Sequence, residues 1–447
     1  MRNFIIILLV TSININLTAQ EINPGIVIDT LMCMDDPSES YSIYLPTSYN
    51  KQKEWPVLIG FEPAARGSLP VNKYHEFAEK YGFILLCSNN TKNGPWEPNI
   101  NSANKMINDI FKRFNINKNR VYTYGFSGGG RLAAQYAMNN SNVKGIIDCG
   151  AGFPNSKMIN TSFKFKFIGI IGLNDANYAE LFMTKIKLDH LGMNNNIIYY
   201  EGDHGWPPKN EFERAIISLL IENQNQNTDI NDFYIKNRKY ISDIKDTTDI
   251  FILENYYDLL SQIEDKLDLD KIFRKKRNSL IESSGYKNLI FLEKESIKIE
   301  REIQKDIINE FSNIEYYPEQ FDIGLWNQKI KEIEKFLEKK KITKRSEVRL
   351  KNFVSMNANG GYYFSSESNI KSKHCYIDVL ILLYPQSYNL QYVKSKLYAK
   401  TGDIKLCLKH LKKAIELGFN EKNQITNDKV FDSINEDKRF KKLLEAI

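Results

Sequence analysis

Apolar residues come in short bursts along the first half of the chain and at a slower, helical rhythm along the second. Compact apolar runs at 41–45, 56–61, 83–87, 121–124, 143–148, 165–171 and 196–200 read as strands. Between them the period lengthens. Residues 71–80, 102–114 and 211–221 read as helices, the second with Met106, Ile107, Ile110, Phe111 and Phe114 on one face. Strands alternating with helices predict an α/β class, a doubly wound and mostly parallel sheet covered on both faces. From Asp229 onward charged segments carry apolar residues at helical spacing, as at Leu292, Ile299, Ile303, Ile307 and Phe311, which predicts an all-α region.

Glycine and proline mark the change. Residues 1–227 hold 17 of the 23 glycines and 11 of the 13 prolines, so turns crowd the first half and the second runs as nearly unbroken helix. The polar stretch 223–228 fits a linker, dividing the chain into an α/β domain at 20–225 and a helical domain at 226–447. Near the end, Leu397, Tyr398 and Ala399 precede Thr401-Gly402-Asp403, and Cys407, Leu408, Leu411, Ala414 and Ile415 follow. Small residues seven apart, Cys407 and Ala414, let two helices approach closely while Gly402 supplies the turn. This resembles one tetratricopeptide unit, which implies either a platform for a protein partner or a lid; a stabilising cap is the plainer alternative. At the other end, Arg2 precedes an apolar run at 4–10, and Ala19-Gln20 is a plausible cleavage point. Residues 1–19 therefore read as an export signal too short to span a bilayer, with a soluble mature chain in the periplasm or outside the cell.

Charge and cysteine content exclude more than they suggest. The 61 basic and 55 acidic residues leave a net charge of +6 but are interleaved, so no electrostatic footprint for nucleic acid exists. Cys33, Cys87, Cys149, Cys375 and Cys407 lie too far apart for a zinc motif or a disulfide scaffold; buried thiols are expected, with one disulfide possible. Gly128-Gly129-Gly130 lacks the following Lys-Ser or Lys-Thr of a phosphate loop, and no metal or cofactor is expected.

The chemistry centres on Gly125-Phe126-Ser127-Gly128-Gly129, directly after the strand at 121–124. A serine flanked by glycines where a strand turns sharply into a helix is a nucleophile elbow. Serine needs a base, and of the five histidines only His204 lies in a glycine-flanked loop just after a predicted strand. Asp175, after the strand at 165–171, would orient the imidazole; it could also cap the helix starting near Asn177, and Asp148 at the end of the preceding strand is the rival acid. The oxyanion needs two donors. Gly128 N–H supplies one, and the loop after residue 61 should supply the other: Pro63 has no N–H, leaving Ala64 first and Ala65 second. Phe61, Trp96, Phe126, Phe153, Tyr178 and Trp206 surround the site in sequence, with Phe61, Trp96, Phe126 and Tyr178 as candidate pocket residues and Trp206 as a brace for the His204 loop.

The elbow, Gly172-Leu173-Asn174-Asp175 and Gly202-Asp203-His204-Gly205-Trp206-Pro207-Pro208 together resemble the α/β-hydrolase superfamily, nearest the secreted bacterial feruloyl esterase and polyhydroxybutyrate depolymerase group, over about residues 25–222. The resemblance implies a carboxylic ester hydrolase acting on a small or polymeric ester, with Ser127, Asp175 and His204 as nucleophile, acid and base. A peptidase of the same fold, and an inactive scaffold whose helical half binds a partner, are the alternatives.

Overall fold

The computed structural model describes residues 22–221, 227–243, 249–339, 344–445 and 447. The proposed signal at 1–19 and most of the linker at 223–228 lie outside them. Eight strands form one sheet: β1 (Val27–Met32), β2 (Ser40–Tyr44), β3 (Trp55–Phe61), β4 (Ile84–Ser88), β5 (Ile116–Phe126), β6 (Val143–Cys149), β7 (Lys166–Gly172) and β8 (Asn195–Tyr200). Their order is β1-β2-β4-β3-β5-β6-β7-β8. β2 runs antiparallel to both its neighbours, β1 and β4, and β3 to β8 pair in parallel. Every residue of β3 and β7 is buried, which is why these strands read as continuous apolar runs rather than alternating ones. This is the mostly parallel sheet, covered by helices, that the alternation of strands and helices predicts.

The first-half helices are α1 (Ser68–Tyr81), α2 (Trp96–Arg113), α3 (Gly128–Asn139), α4 (Tyr178–His190) and α5 (Lys209–Leu220). Buried side chains of α2, α3 and α4 pack on one face of the sheet, those of α1 and α5 on the other. Two differences from the sequence reading have local causes. Helix α2 starts at Trp96, not 102, because Pro98 sits in its first turn, where a missing N–H costs no intrahelical bond. Strand β1, half exposed at the sheet edge, has too few buried positions to produce an apolar run.

The remaining chain is helical: α6 (Asn227–Asp243), α7 (Ile250–Leu267), α8 (Ile272–Glu282), α9 (Ser284–Tyr316), α10 (Ile323–Lys339), α11 (Lys344–Phe364), α12 (Ile370–Leu383), α13 (Tyr388–Thr401), α14 (Ile404–Glu416), α15 (Lys422–Asn427) and α16 (Lys438–Glu445). The first of these complete the sheet's own core. Ile230, Phe233, Tyr256 and Leu259 join the cluster that holds α1 and α5, and the Phe251 ring packs at a tilt against Tyr199 of β8, with centroids 5.4 Å apart. Asn255 of α7 donates to the Ile197 carbonyl at 2.8 Å, so the open edge of β8 is covered. Helices α13 and α14 form the hairpin expected around Gly402, whose φ of 77° needs glycine, and Cys407 and Ala414 are buried within it. All five cysteines are buried free thiols. Among the described residues no helix is long and apolar enough to cross a membrane.

Candidate active site

Because β5, β7 and β8 run parallel, their carboxyl ends deliver three loops to one edge of the sheet. At the end of β5 the backbone of Ser127 takes φ 52° and ψ −120°, a strained conformation for a residue with a side chain. Neighbouring glycines make it possible. A Cβ on Gly125 would lie 2.3 Å from the Gly129 backbone, and one on Gly129 would lie 2.1 Å from the Phe61 carbonyl oxygen. The turn is held by Ser127 N–H donating to the Cys149 carbonyl at 2.8 Å, and α3 starts at Gly128.

The loops after β7 and β8 are tied together. Leu173 N–H donates to the Tyr200 carbonyl at 2.9 Å and Asn174 N–H to the Gly202 carbonyl at 3.0 Å. This pairing brings Asp175 and His204 side by side. Asp175 Oδ1 and Oδ2 lie 2.9 and 3.0 Å from His204 Nδ1, and His204 Nε2 lies 3.0 Å from Ser127 Oγ. Asp175 is 1% exposed and also accepts the Asn177 N–H at 2.7 Å while it holds the imidazole; the N-cap position of α4 is Asn177, and no side chain makes a cap bond there, so Asp175 is not the helix cap. The other ring face of His204 is supported by Phe126, with centroids 4.6 Å apart. Trp206 does brace this loop: it packs against Tyr74, Tyr124 and Phe126, and Tyr74 Oη donates to the Pro207 carbonyl at 2.6 Å.

Asp148, the rival acid, ends the neighbouring strand but points under α3, where a Cβ on Gly130 would meet its Oδ1 at 2.4 Å. Burial pushes its carboxyl well above the usual carboxylate range, and the charge of Glu180 adds to the shift.

Other expected residues sit elsewhere. Ala64 N–H donates to the Glu62 carboxylate at 2.7 Å and Ala65 N–H to the Glu62 carbonyl at 3.3 Å, so both amides are already engaged. Phe61 and Tyr178 are core residues rather than pocket walls: Phe61 is 0% exposed under α3, and Tyr178 lies beneath the Arg349 guanidinium at 4.2 Å. Phe126 does line the cleft with Ser127 and His204, while Trp96 stands over an adjoining hollow of about 270 Å³ beside Gly128.

The cleft itself has a volume of about 920 Å³, and its far wall comes from the helical half: Arg301, Gln304 and Ile308 of α9, and Phe353, Met356 and Asn357 of α11. The same two helices grip the aspartate loop. Arg349 donates to the Leu173 carbonyl at 3.3 Å, Asn352 to the Asn174 carbonyl at 2.9 Å, and Gln304 to the Ala176 carbonyl at 3.2 Å. Asn352 also donates to Asp203 Oδ1 at 3.0 Å, next to His204. No local motif announces these contacts, since each spans more than a hundred residues of sequence. Asn93, which lines the cleft with its carboxamide against Gly128, was likewise missed.

No family model and no curated protein matches the chain. Solved structures do resemble part of it. A ferulic acid esterase is 17% identical, covering 43% of this chain and 94% of its own, with a TM-score of 0.36. The fluorophosphonate-binding serine hydrolase FphF of Staphylococcus aureus is 13% identical over 44% of this chain and 99% of its own, at 0.38. A feruloyl esterase module from Clostridium thermocellum, complexed with sinapinate, is 12% identical over 46% and 92%, at 0.37. Likeness at this level carries no inference about activity.

Proposed function

We propose that this chain is a serine hydrolase that cleaves carboxylic esters through an acyl-enzyme on Ser127. The observation that carries the reading is the continuous run from Asp175 through both ring nitrogens of His204 to Ser127 Oγ, with every step at 2.9–3.0 Å, on a strained elbow. In this reading Ser127 Oγ attacks the ester carbonyl as His204 Nε2 takes its proton, and Asp175 accepts the Nδ1–H and stabilises the imidazolium. His204 then protonates the departing alcohol, and water repeats the sequence on the acyl-enzyme. Gly128 N–H is the first oxyanion donor. With the Ala64 amide bound to Glu62, the second donor in this reading is Asn93 Nδ2 from the carboxamide that lines the cleft beside Gly128, a role side-chain amides fill in other hydrolases. The stacked helix pairs from α11 to α14 we assign to a tetratricopeptide-like array.

The test is turnover of short-chain p-nitrophenyl esters beside matched peptides. Ser127→Ala should abolish ester turnover while circular dichroism stays unchanged, and Asn93→Ala should lower kcat by about 10- to 1,000-fold with KM little altered. Equal turnover by wild type and Ser127→Ala would sink the reading, and preference for the peptides would make the enzyme a peptidase.

A further inference from the structure

The cleft beside Ser127 is apolar in the middle and cationic at its rim. Phe126 and Phe153 form its sheet side, and Phe353 and Ile308 face them from the helices. Ile308 is 48% exposed, a large aliphatic side chain on the surface of the cleft. Arg301, Gln304 and Ile308 fall at i, i+3 and i+7, so one stripe of α9 turns toward the nucleophile and carries an arginine at its end. Arg301 is exposed at this end of the cleft. The charges of the lining do not cancel. Glu180 is its acidic member among the described residues and is bound by both Nε and Nη2 of Arg131, which leaves Arg301 without a carboxylate partner in the lining.

We propose that the preferred substrate is an ester whose apolar body ends in a carboxylate, seated against Ile308 and Phe353 and held at its far end by Arg301. The inference rests on the esterase reading and adds the substrate class. A guanidinium presents a planar fork that matches a carboxylate. A neutral chain of equal length would bury the same apolar surface and leave Arg301 unanswered.

The experiment uses the full chain and two matched pairs of esters. The acyl side is probed by the mono-p-nitrophenyl ester of suberic acid against p-nitrophenyl octanoate. The alcohol side is probed by para-octanoyloxybenzoate against its methyl ester. In at least one pair the acidic member should have the higher kcat/KM, and Arg301→Gln should lower that ratio about tenfold, the scale of one charge-assisted contact at a half-open site. Arg301→Glu should reverse the preference in favour of an ester ending in an ammonium group. Labelling of Ser127 by a fluorophosphonate shows that each variant is folded. Neutral members turned over as well as or better than acidic ones in wild type, or a preference that survives Arg301→Gln, overturns the proposal. If Ser127 labels but no ester of the panel reacts, suberate must slow labelling more than octanediol does, and equal slowing overturns it too. Absence of labelling removes the esterase reading itself.

Discussion

Two aspartates end adjacent strands of the sheet, and what faces each one decides its chemistry. Asp175 accepts from a backbone N–H and holds the His204 ring nitrogen. Asp148 is fully buried beneath α3, with Glu180 contributing repulsion and Arg131 only partly opposing it. Its folded-state pKa therefore lies above the value of about 3.9 for an aspartate in an unfolded chain. Above that pH the unfolded chain has lost a proton that the folded one keeps. Unfolding then releases a proton, and stability falls as pH rises toward the folded pKa. Asp148→Asn removes this slope. Urea midpoints at pH 5 and pH 8 should show the variant gaining on wild type at the higher pH; a constant gap would mean Asp148 is already ionised in the fold. The same variant should keep its ester turnover, whereas Asp175→Asn should lose it by roughly 100- to 10,000-fold, because the imidazole is then held in the wrong tautomer.

At the scale of elements, α11 acts on the proposed triad without touching it. Asn352 holds the Asn174 carbonyl and the Asp203 carboxylate with one amide group, so a single side chain sets the spacing of the two loops that carry Asp175 and His204. Asn352 is not among the residues lining the cleft, and its loss should act on kcat rather than on KM. Asn352→Ala should lower kcat about tenfold, equivalent to ~1.4 kcal/mol of transition-state stabilisation. Asn352→Asp should be worse, since it sets a carboxylate against a carbonyl and a second carboxylate. Steady-state kinetics on p-nitrophenyl butyrate checks this, and an unchanged kcat in Asn352→Asp would refute it. Such coupling marks the limit of what the sequence discloses. Ser127, Asp175 and His204 were legible because each lies in a local pattern, a turn or strand end whose spacing encodes its own geometry. Whether Phe61 or Tyr178 points into the cleft or the core depends on which layer covers that face. Arg349 covers Tyr178 from a helix more than 150 residues away, and no local period carries that information.

At the scale of the molecule, the composition change near residue 225 is a change of architecture that the packing does not follow. Helices α6 and α7 bury Phe233, Tyr256, Leu259, Leu260 and Ile263 in the cluster that also holds Ile168, Ile170 and Ile216. Each such side chain contributes about 1.5–3 kcal/mol by burial, and a domain's whole margin is about 5–15 kcal/mol. Losing several of them at once should exceed that margin. A chain of residues 22–221, which keeps all three triad residues, is therefore expected to show no cooperative unfolding transition. Extending it to residue 282 restores α6 to α8 and should restore cooperative unfolding in urea. That longer chain still lacks α9 and α11, the cleft's far wall and the grip on the Asp175 loop. Its Ser127 should react with a fluorophosphonate at least about tenfold more slowly than in the full chain, because the loops carrying Asp175 and His204 are no longer held in register. Cooperative folding and full reactivity in the 22–221 chain would show instead that the helical half is an appendage. Folding at 282 with full reactivity would confine its role to the choice of substrate.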